Sequence, residues 1–140
     1  MRKFLIATHG NFAKGVKSSL DIIIGETEQL TLIEAYVGEN KSIEPELNLV
    51  LDGLEDGDEL VIFSDLLGGS VTNQILQQAA RRENIHIVSG FNLPLLLDIL
   101  LSDAHSPVVE IIENSIRNAK DQIVYVNKLI TSKNSEDPND

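Results

Sequence analysis

Short apolar segments alternate with segments of helical period along this chain, and that alternation restricts it to an α/β fold with a mainly parallel sheet. Residues 3–8 (KFLIAT), 30–35 (LTLIEA), 60–63 (LVIF) and 85–88 (IHIV) read as strands. The third is apolar without interruption, the pattern of a strand buried on both faces. Residues 11–24, 43–54 and 70–82 read as the intervening helices. The first carries Phe12, Val16, Leu20 and Ile23/Ile24 at helical spacing, and the second Leu47, Val50, Leu51 and Leu54. Gly25 is placed to end the first helix. Two further helices are expected near the C-terminus, one capped by Asn92 with Pro94 in its first turn, the other capped by Ser106 ahead of Pro107. The stripe Leu93, Leu95, Leu96, Leu97, Leu100 and Leu101 belongs to the core or to a subunit interface. Residues 122–127, with Ile123, Val124, Tyr125 and Val126, read as a last strand. Its short connection from Asn118-Ala119-Lys120 predicts an antiparallel edge, or pairing with another subunit's sheet. One domain is expected over residues 1–129, followed by a polar, disordered tail over 130–140.

A common order for so small a sheet is 2-1-3-4, with right-handed crossovers that put helices on both faces. In that order strands one and three are neighbours, and the direction of chain travel reverses between them. Ligands of open α/β sheets bind at such a reversal, beyond the carboxyl ends of the strands. The loops that reach it are Thr8-His9-Gly10 after strand one and Asp65-Leu66-Leu67-Gly68-Gly69-Ser70 after strand three. His9 and Asp65, far apart in sequence, are therefore predicted to meet.

Composition closes off several alternatives. The 140 residues suffice for one domain with a sizeable core. The absence of cysteine excludes disulfides, thiolate metal sites and a cysteine nucleophile. A net charge of −11 argues against nucleic acid as a partner, because phosphates demand a basic face. The apolar run after the basic start Met1-Arg2-Lys3 is broken by His9 and is too short for a signal peptide or a membrane span. A cytoplasmic protein is expected.

The two loops carry a specific chemistry. An imidazole, with an unperturbed pKa of about 6.5, is a competent nucleophile toward phosphorus near neutral pH. One ring nitrogen must be bare for attack, and a carboxylate holding the other nitrogen's proton fixes that tautomer. Asp65 suits this role. Neither loop supplies a lysine or arginine to neutralise a phosphoryl group. Backbone amides at the helix entry formed by Gly68, Gly69 and Ser70 can do so, with the Ser70 hydroxyl as a further donor. Thr8, Gly10, Thr72 and Asn73 are candidate supports. Each feature alone has a plainer reading: a histidine bonded at a strand end, a turn aspartate, a common glycine loop. Their convergence on one crevice points to chemistry. His86 within the fourth strand and His105 in a loop lack any such context. Three singly placed histidines show no metal-ligand spacing, and neither metal nor cofactor is expected.

Thr8-His9-Gly10, Asp65-Leu66-Leu67-Gly68-Gly69-Ser70 with Asn73, and Gly90-Phe91-Asn92-Leu93-Pro94-Leu95 resemble the mannose-type IIA domain of the sugar phosphotransferase system (PTS). The similarity runs from about Lys3 to Leu129. It implies a phosphocarrier whose histidine, matched by His9, takes a phosphoryl group from the phosphorylated carrier protein HPr. The group then passes to a histidine of a IIB component, which phosphorylates sugar entering through membrane IIC and IID components. Asp65 matches the carboxylate partner of the histidine, and Gly68, Gly69 and Ser70 the active-site loop. The family also forms homodimers in which the last strand can be exchanged, which suits residues 122–127. Two departures stand out. Members commonly carry an aromatic residue between the aspartate and the glycine pair, where this chain has Leu66-Leu67, and no fused IIB domain is expected. The sugar is unreadable, since a IIA domain never touches it.

Three alternatives are weaker. The phosphocarrier subunit of dihydroxyacetone kinase shares the early histidine but usually lacks the doubled glycine. A receiver-type signalling module needs an acidic pair after strand one to hold Mg²⁺, where this chain has Thr8-His9-Gly10. A dinucleotide-binding module needs Gly-x-Gly-x-x-Gly there.

Overall fold

A computed structural model describes residues 1–27, 30–39 and 42–136. Its elements are β1 (Arg2–His9), α1 (Phe12–Ile24), β2 (Leu30–Ala35), α2 (Glu44–Asp52), β3 (Glu59–Ser64), α3 (Ser70–Ala79), β4 (Ile85–Ser89), α4 (Leu93–Leu100), α5 (Val108–Asp121) and α6 (Val126–Glu136). The four strands form one sheet in the order β2-β1-β3-β4, and every pairing is parallel. The order expected from the sequence is the order observed.

Alternating side chains of β1 divide the core into two layers. Phe4 and Ile6 join Ala13 of α1, Leu96 and Ile99 of α4 and Ile112 of α5 on one face. Leu5 and Ala7 join Leu47 and Leu51 of α2 and Val71 and Ile75 of α3 on the other. This division follows from handedness. The β1–β2 crossover runs one way along the sheet while β2–β3 and β3–β4 run the other, so right-handed connections place α1 opposite α2 and α3. The register pairs His9 with Ala35 and Ala7 with Ser64, which brings the ends of β2, β1 and β3 to one edge. Among the described residues no helix is long and apolar enough to cross a membrane.

Several helix ends match their sequence signals. Asn92 Oδ1 accepts the Leu95 N–H at 2.9 Å, capping α4. Gly25, at φ 81°, ends α1. Ser106 does not cap α5. Pro107 takes that position without a side-chain cap, and the Ser106 carbonyl instead accepts Arg2 Nη2 at 2.7 Å. Phe12, on the apolar stripe expected of α1, is not buried. It is 51% exposed and stacks on Phe91 at 5.4 Å, because Ala13 turns inward in its stead.

The expected last strand is not formed. Ile123, Val124 and Tyr125 are irregular and exposed, and Val126 begins α6. A β-branched, aromatic run favours a strand only beside a neighbour that offers a ladder of hydrogen bonds. Among the described residues this segment meets none, and its backbone closes local turns instead: the N–H groups of Lys128 and Leu129 both reach the Tyr125 carbonyl at 3.1 Å. The chain is helical through Glu136, and residues 137–140 of the expected tail lie outside the described residues.

An ionic knot ties down the other end of the sheet. Asp58 accepts the Glu55 N–H at 2.9 Å and pairs with Lys3 Nζ and the Met1 amine, each at 3.1 Å. The Glu55 amide first, then Lys3 and the amine, hold its carboxyl down from the ordinary 3.8 to about 2. Between those two values the unfolded chain binds the proton that the folded chain does not, so stability rises with pH across this window and is full above it. Urea unfolding between pH 2 and 5 is expected to show this slope, and Asp58→Asn to flatten it. An unchanged slope in that variant removes Asp58 as the cause.

Candidate functional site

The three strand ends at the carboxyl edge each contribute one wall of a site around His9. From β3 comes Asp65. Its Oδ2 accepts the His9 backbone N–H at 2.8 Å and lies 2.9 Å from His9 Nδ1. A carboxylate only accepts, so Nδ1 donates to it and, in the neutral ring, Nε2 is left with a lone pair. The double grip on Oδ2 fixes both the backbone and the ring of the same residue. Asp65 Oδ1 is buried and has no hydrogen-bond partner among the described residues. The His9 side chain is 39% exposed and that of Asp65 12%, so the carboxylate is sheltered while the ring faces outward.

The loop from Asp65 to α3 is shaped to lie against that ring. Gly68, at φ 80°, takes a backbone conformation that few L-residues adopt. Gly69 has an ordinary extended backbone, and its constraint is contact instead. A Cβ there would lie 3.1 Å from the Leu66 carbonyl oxygen and 3.3 Å from His9 Cε1. Thr72 donates its hydroxyl to the Leu66 carbonyl at 2.7 Å and lies 2.8 Å from the Ser64 hydroxyl, which pins the loop at its base. No side chain caps α3. The first amides of a helix have no intrahelical partner, so those of Ser70, Val71 and Thr72 are available to an anion. Ser70 Oγ stands 3.3 Å from His9 Nε2.

The remaining supports divide. Thr8 Oγ1 accepts the Ala13 N–H at 2.8 Å and thereby anchors the start of α1 behind His9. Gly10, at φ 57°, donates its N–H to the Ala35 carbonyl at 2.7 Å and carries the chain sharply off the strand. Asn73 is exposed and donates its backbone N–H to the Gly69 carbonyl at 3.0 Å, but its side chain makes no hydrogen bond to His9. His86 lies in the edge strand β4. His105 lines a cleft with Met1, Arg2 and Glu59 at the opposite end of the sheet.

Sequence reasoning missed one residue of this site. Tyr36, the first residue beyond β2, stacks on the His9 ring with centroids 5.6 Å apart and planes 20° from parallel. Its hydroxyl lies 2.8 Å from Ser70 Oγ. Its φ of 62° is in the left-handed region, at a cost of about 1–2 kcal/mol for a residue with a Cβ. The available signal was positional: in the order 2-1-3-4 the loop after strand two adjoins His9 on the side away from Asp65.

The close approach of Gly69 yields a direct test. Gly69→Ala is expected to tilt the imidazole off Asp65 and to lower any reaction at His9 about tenfold or more, since small misplacements of a reacting group are costly. Assays and the ring's ¹⁵N shifts should change together. A fully active Gly69→Ala protein with unshifted His9 resonances would show that the contact is not limiting.

The chain is similar to proteins of one system. A family model, EIIA-man, described as PTS system fructose IIA component, matches residues 3–116. A fructose-specific EIIA component from Bacillus subtilis is 25% identical over 115 residues, covering 81% of this chain and 79% of that protein. The mannose-specific EIIAB component of Escherichia coli K12 is 26% identical over 104 residues, 74% of this chain, but this chain spans only 32% of that protein. Among solved structures, a Klebsiella pneumoniae protein provisionally described as a phosphoenolpyruvate-dependent sugar PTS permease superimposes with a TM-score of 0.85. It has 32% identity, and the match covers 92% of this chain and 93% of that one. With its fold, its strand order and a match over most of its length, the chain belongs to the EIIA-man family, the mannose- and fructose-type IIA phosphotransfer components of the PTS.

Proposed function

We infer that His9 is the phosphoryl acceptor of this IIA component, receiving the group from phosphorylated HPr and passing it to a histidine of a IIB component for sugar uptake through IIC and IID membrane partners. The observation that carries the reading is the Asp65 Oδ2 contact with His9 Nδ1 at 2.9 Å, which in the neutral ring leaves Nε2 unprotonated with its lone pair, 3.3 Å from Ser70 Oγ. In the forward step the Nε2 lone pair attacks phosphorus in line. The Nε2–P bond forms, the bond from phosphorus to the donor breaks, and its electron pair leaves with the donor. The ring then bears a positive charge, which the Asp65 carboxylate offsets at short range. The amides at the start of α3 and the Ser70 hydroxyl receive the phosphoryl oxygens. Transfer to IIB is the same displacement in reverse, with His9 as leaving group. That the Escherichia coli relative is an EIIAB component, with A and B parts in one protein, supports a IIB acceptor. The absence of a long apolar helix among the described residues is compatible with the cytoplasmic location this relay needs.

Incubation with phospho-HPr, followed by ³¹P and ¹⁵N spectroscopy, tests the reading. One acid-labile phosphoryl group on Nε2 of His9 is expected. An acid-stable adduct, or a phosphoryl group at another residue, overturns it.

The same reading includes a homodimer. Ile123, Tyr125, Val126, Leu129 and Ile130 are all more than half exposed, an apolar run that a second copy would cover. Light scattering at micromolar concentration is expected to give twice the monomer mass, and a monomer mass ends this part of the proposal.

A further inference from the structure

With the imidazole neutral, one arrangement of protons around His9 satisfies all three contacts. Nδ1 carries the ring proton and donates it to Asp65 Oδ2. Nε2 is then an acceptor, and the group within reach of it is the Ser70 hydroxyl at 3.3 Å. If Ser70 gives its proton to Nε2, its oxygen must accept from Tyr36, whose hydroxyl is 2.8 Å away. The chain runs in a single direction: Tyr36 O–H to Ser70 Oγ, Ser70 O–H to His9 Nε2. The Tyr36 ring meanwhile lies nearly parallel to the imidazole, 5.6 Å between centroids. So one residue both limits tilting of the ring and dictates where the Ser70 proton points. It does so from a left-handed backbone, φ 62°, that a tyrosine adopts only when its surroundings hold it there.

We propose that Tyr36 is a positioning residue for phosphoryl transfer at His9, acting through Ser70; this rests on His9 being the phosphoryl acceptor. When the Nε2–P bond forms, the Nε2 lone pair is used and Ser70 loses its acceptor. Its hydroxyl then turns to a phosphoryl oxygen. No proton changes owner. Tyr36 continues to donate to Ser70 Oγ, so the Ser70 proton stays directed at the phosphoryl group instead of back toward the phenol. Removing the phenolic O–H frees the Ser70 rotor, and the hydrogen bond to the developing charge is weakened although every group that touches phosphorus is still present.

Tyr36→Phe keeps the ring and removes only the donor. Rates of transfer from phospho-HPr are expected to fall about three- to tenfold in kcat, with KM little changed. Ser70→Ala should fall at least as far. The decisive measurement is the double variant: Tyr36→Phe should add nothing in the Ser70→Ala background, because its effect passes through that hydroxyl. In unphosphorylated protein, Tyr36→Phe should move the ¹⁵N resonance of Nε2 and leave that of Nδ1 in place. Wild-type rates in Tyr36→Phe, or multiplicative losses in the double variant, overturn the proposal. Failure of wild-type protein to accept any phosphoryl group overturns the reading of His9 instead; the Nε2 resonance then decides whether the Tyr36–Ser70–His9 chain exists.

Discussion

His9→Ala is expected to abolish phosphoryl acceptance from phospho-HPr, a loss of about 10⁴-fold or more, because the other nucleophilic groups at the crevice among the described residues are two hydroxyls and a carboxylate, all weaker toward phosphorus than an imidazole. Ser70 is nearest, but a hydroxyl needs a base to attack phosphorus, and the base within its reach is the ring that the substitution removes. His105 lines a cleft at the far end of the sheet and cannot take over. The fold should survive. The His9 side chain is 39% exposed and lies outside both apolar core layers, so urea unfolding is expected to change by about 1 kcal/mol or less. Phosphate retained on folded His9→Ala protein would move the acceptor elsewhere.

Asp65→Asn should lower the transfer rate by about 10²- to 10⁴-fold while leaving the acceptor in place. The carboxylate does two things that an amide cannot combine. It accepts two hydrogen bonds on Oδ2, from the His9 backbone and from Nδ1, and in the proposed relay it carries the charge that offsets a phosphorylated imidazolium. An asparagine with its oxygen toward His9 preserves the hydrogen bonds and loses the charge. With its NH₂ toward Nδ1 it selects the opposite tautomer, puts the proton on Nε2 and blocks attack. Either outcome slows transfer, and ¹⁵N shifts of the ring tell them apart. Near-wild-type transfer in Asp65→Asn would mean that neither the charge nor the tautomer limits the step.

How far each part of this site was legible depends on how local its signal is. His9 and Asp65 were found together because each follows an apolar strand, and alternation of strands and helices confines their order to few choices. Gly69 and Ser70 were legible as a helix entry. The reason for a glycine at 69 was not, since its φ is ordinary and the constraint is a 3.3 Å approach to His9 Cε1 from a residue sixty positions away. Phe12 was put on the apolar stripe of the first helix by its spacing, yet Ala13 is the residue that turns inward. Residues 122–127 read as a strand because β-branched side chains favour one; whether a strand forms depends on a neighbouring edge, which composition does not encode.

By itself, the pattern of apolar residues determined a mainly parallel sheet and the loops that follow its strands, and left 2-1-3-4 as one common order for it. Burial of alternate faces is written directly into residue period, and handed crossovers leave few ways to join the pieces. Only the tertiary structure decided that Tyr36 closes the third side of the imidazole and reaches Ser70. That contact arises from one left-handed backbone angle and a few ångströms between neighbouring loops, and neither leaves a periodic trace in the order of amino acids.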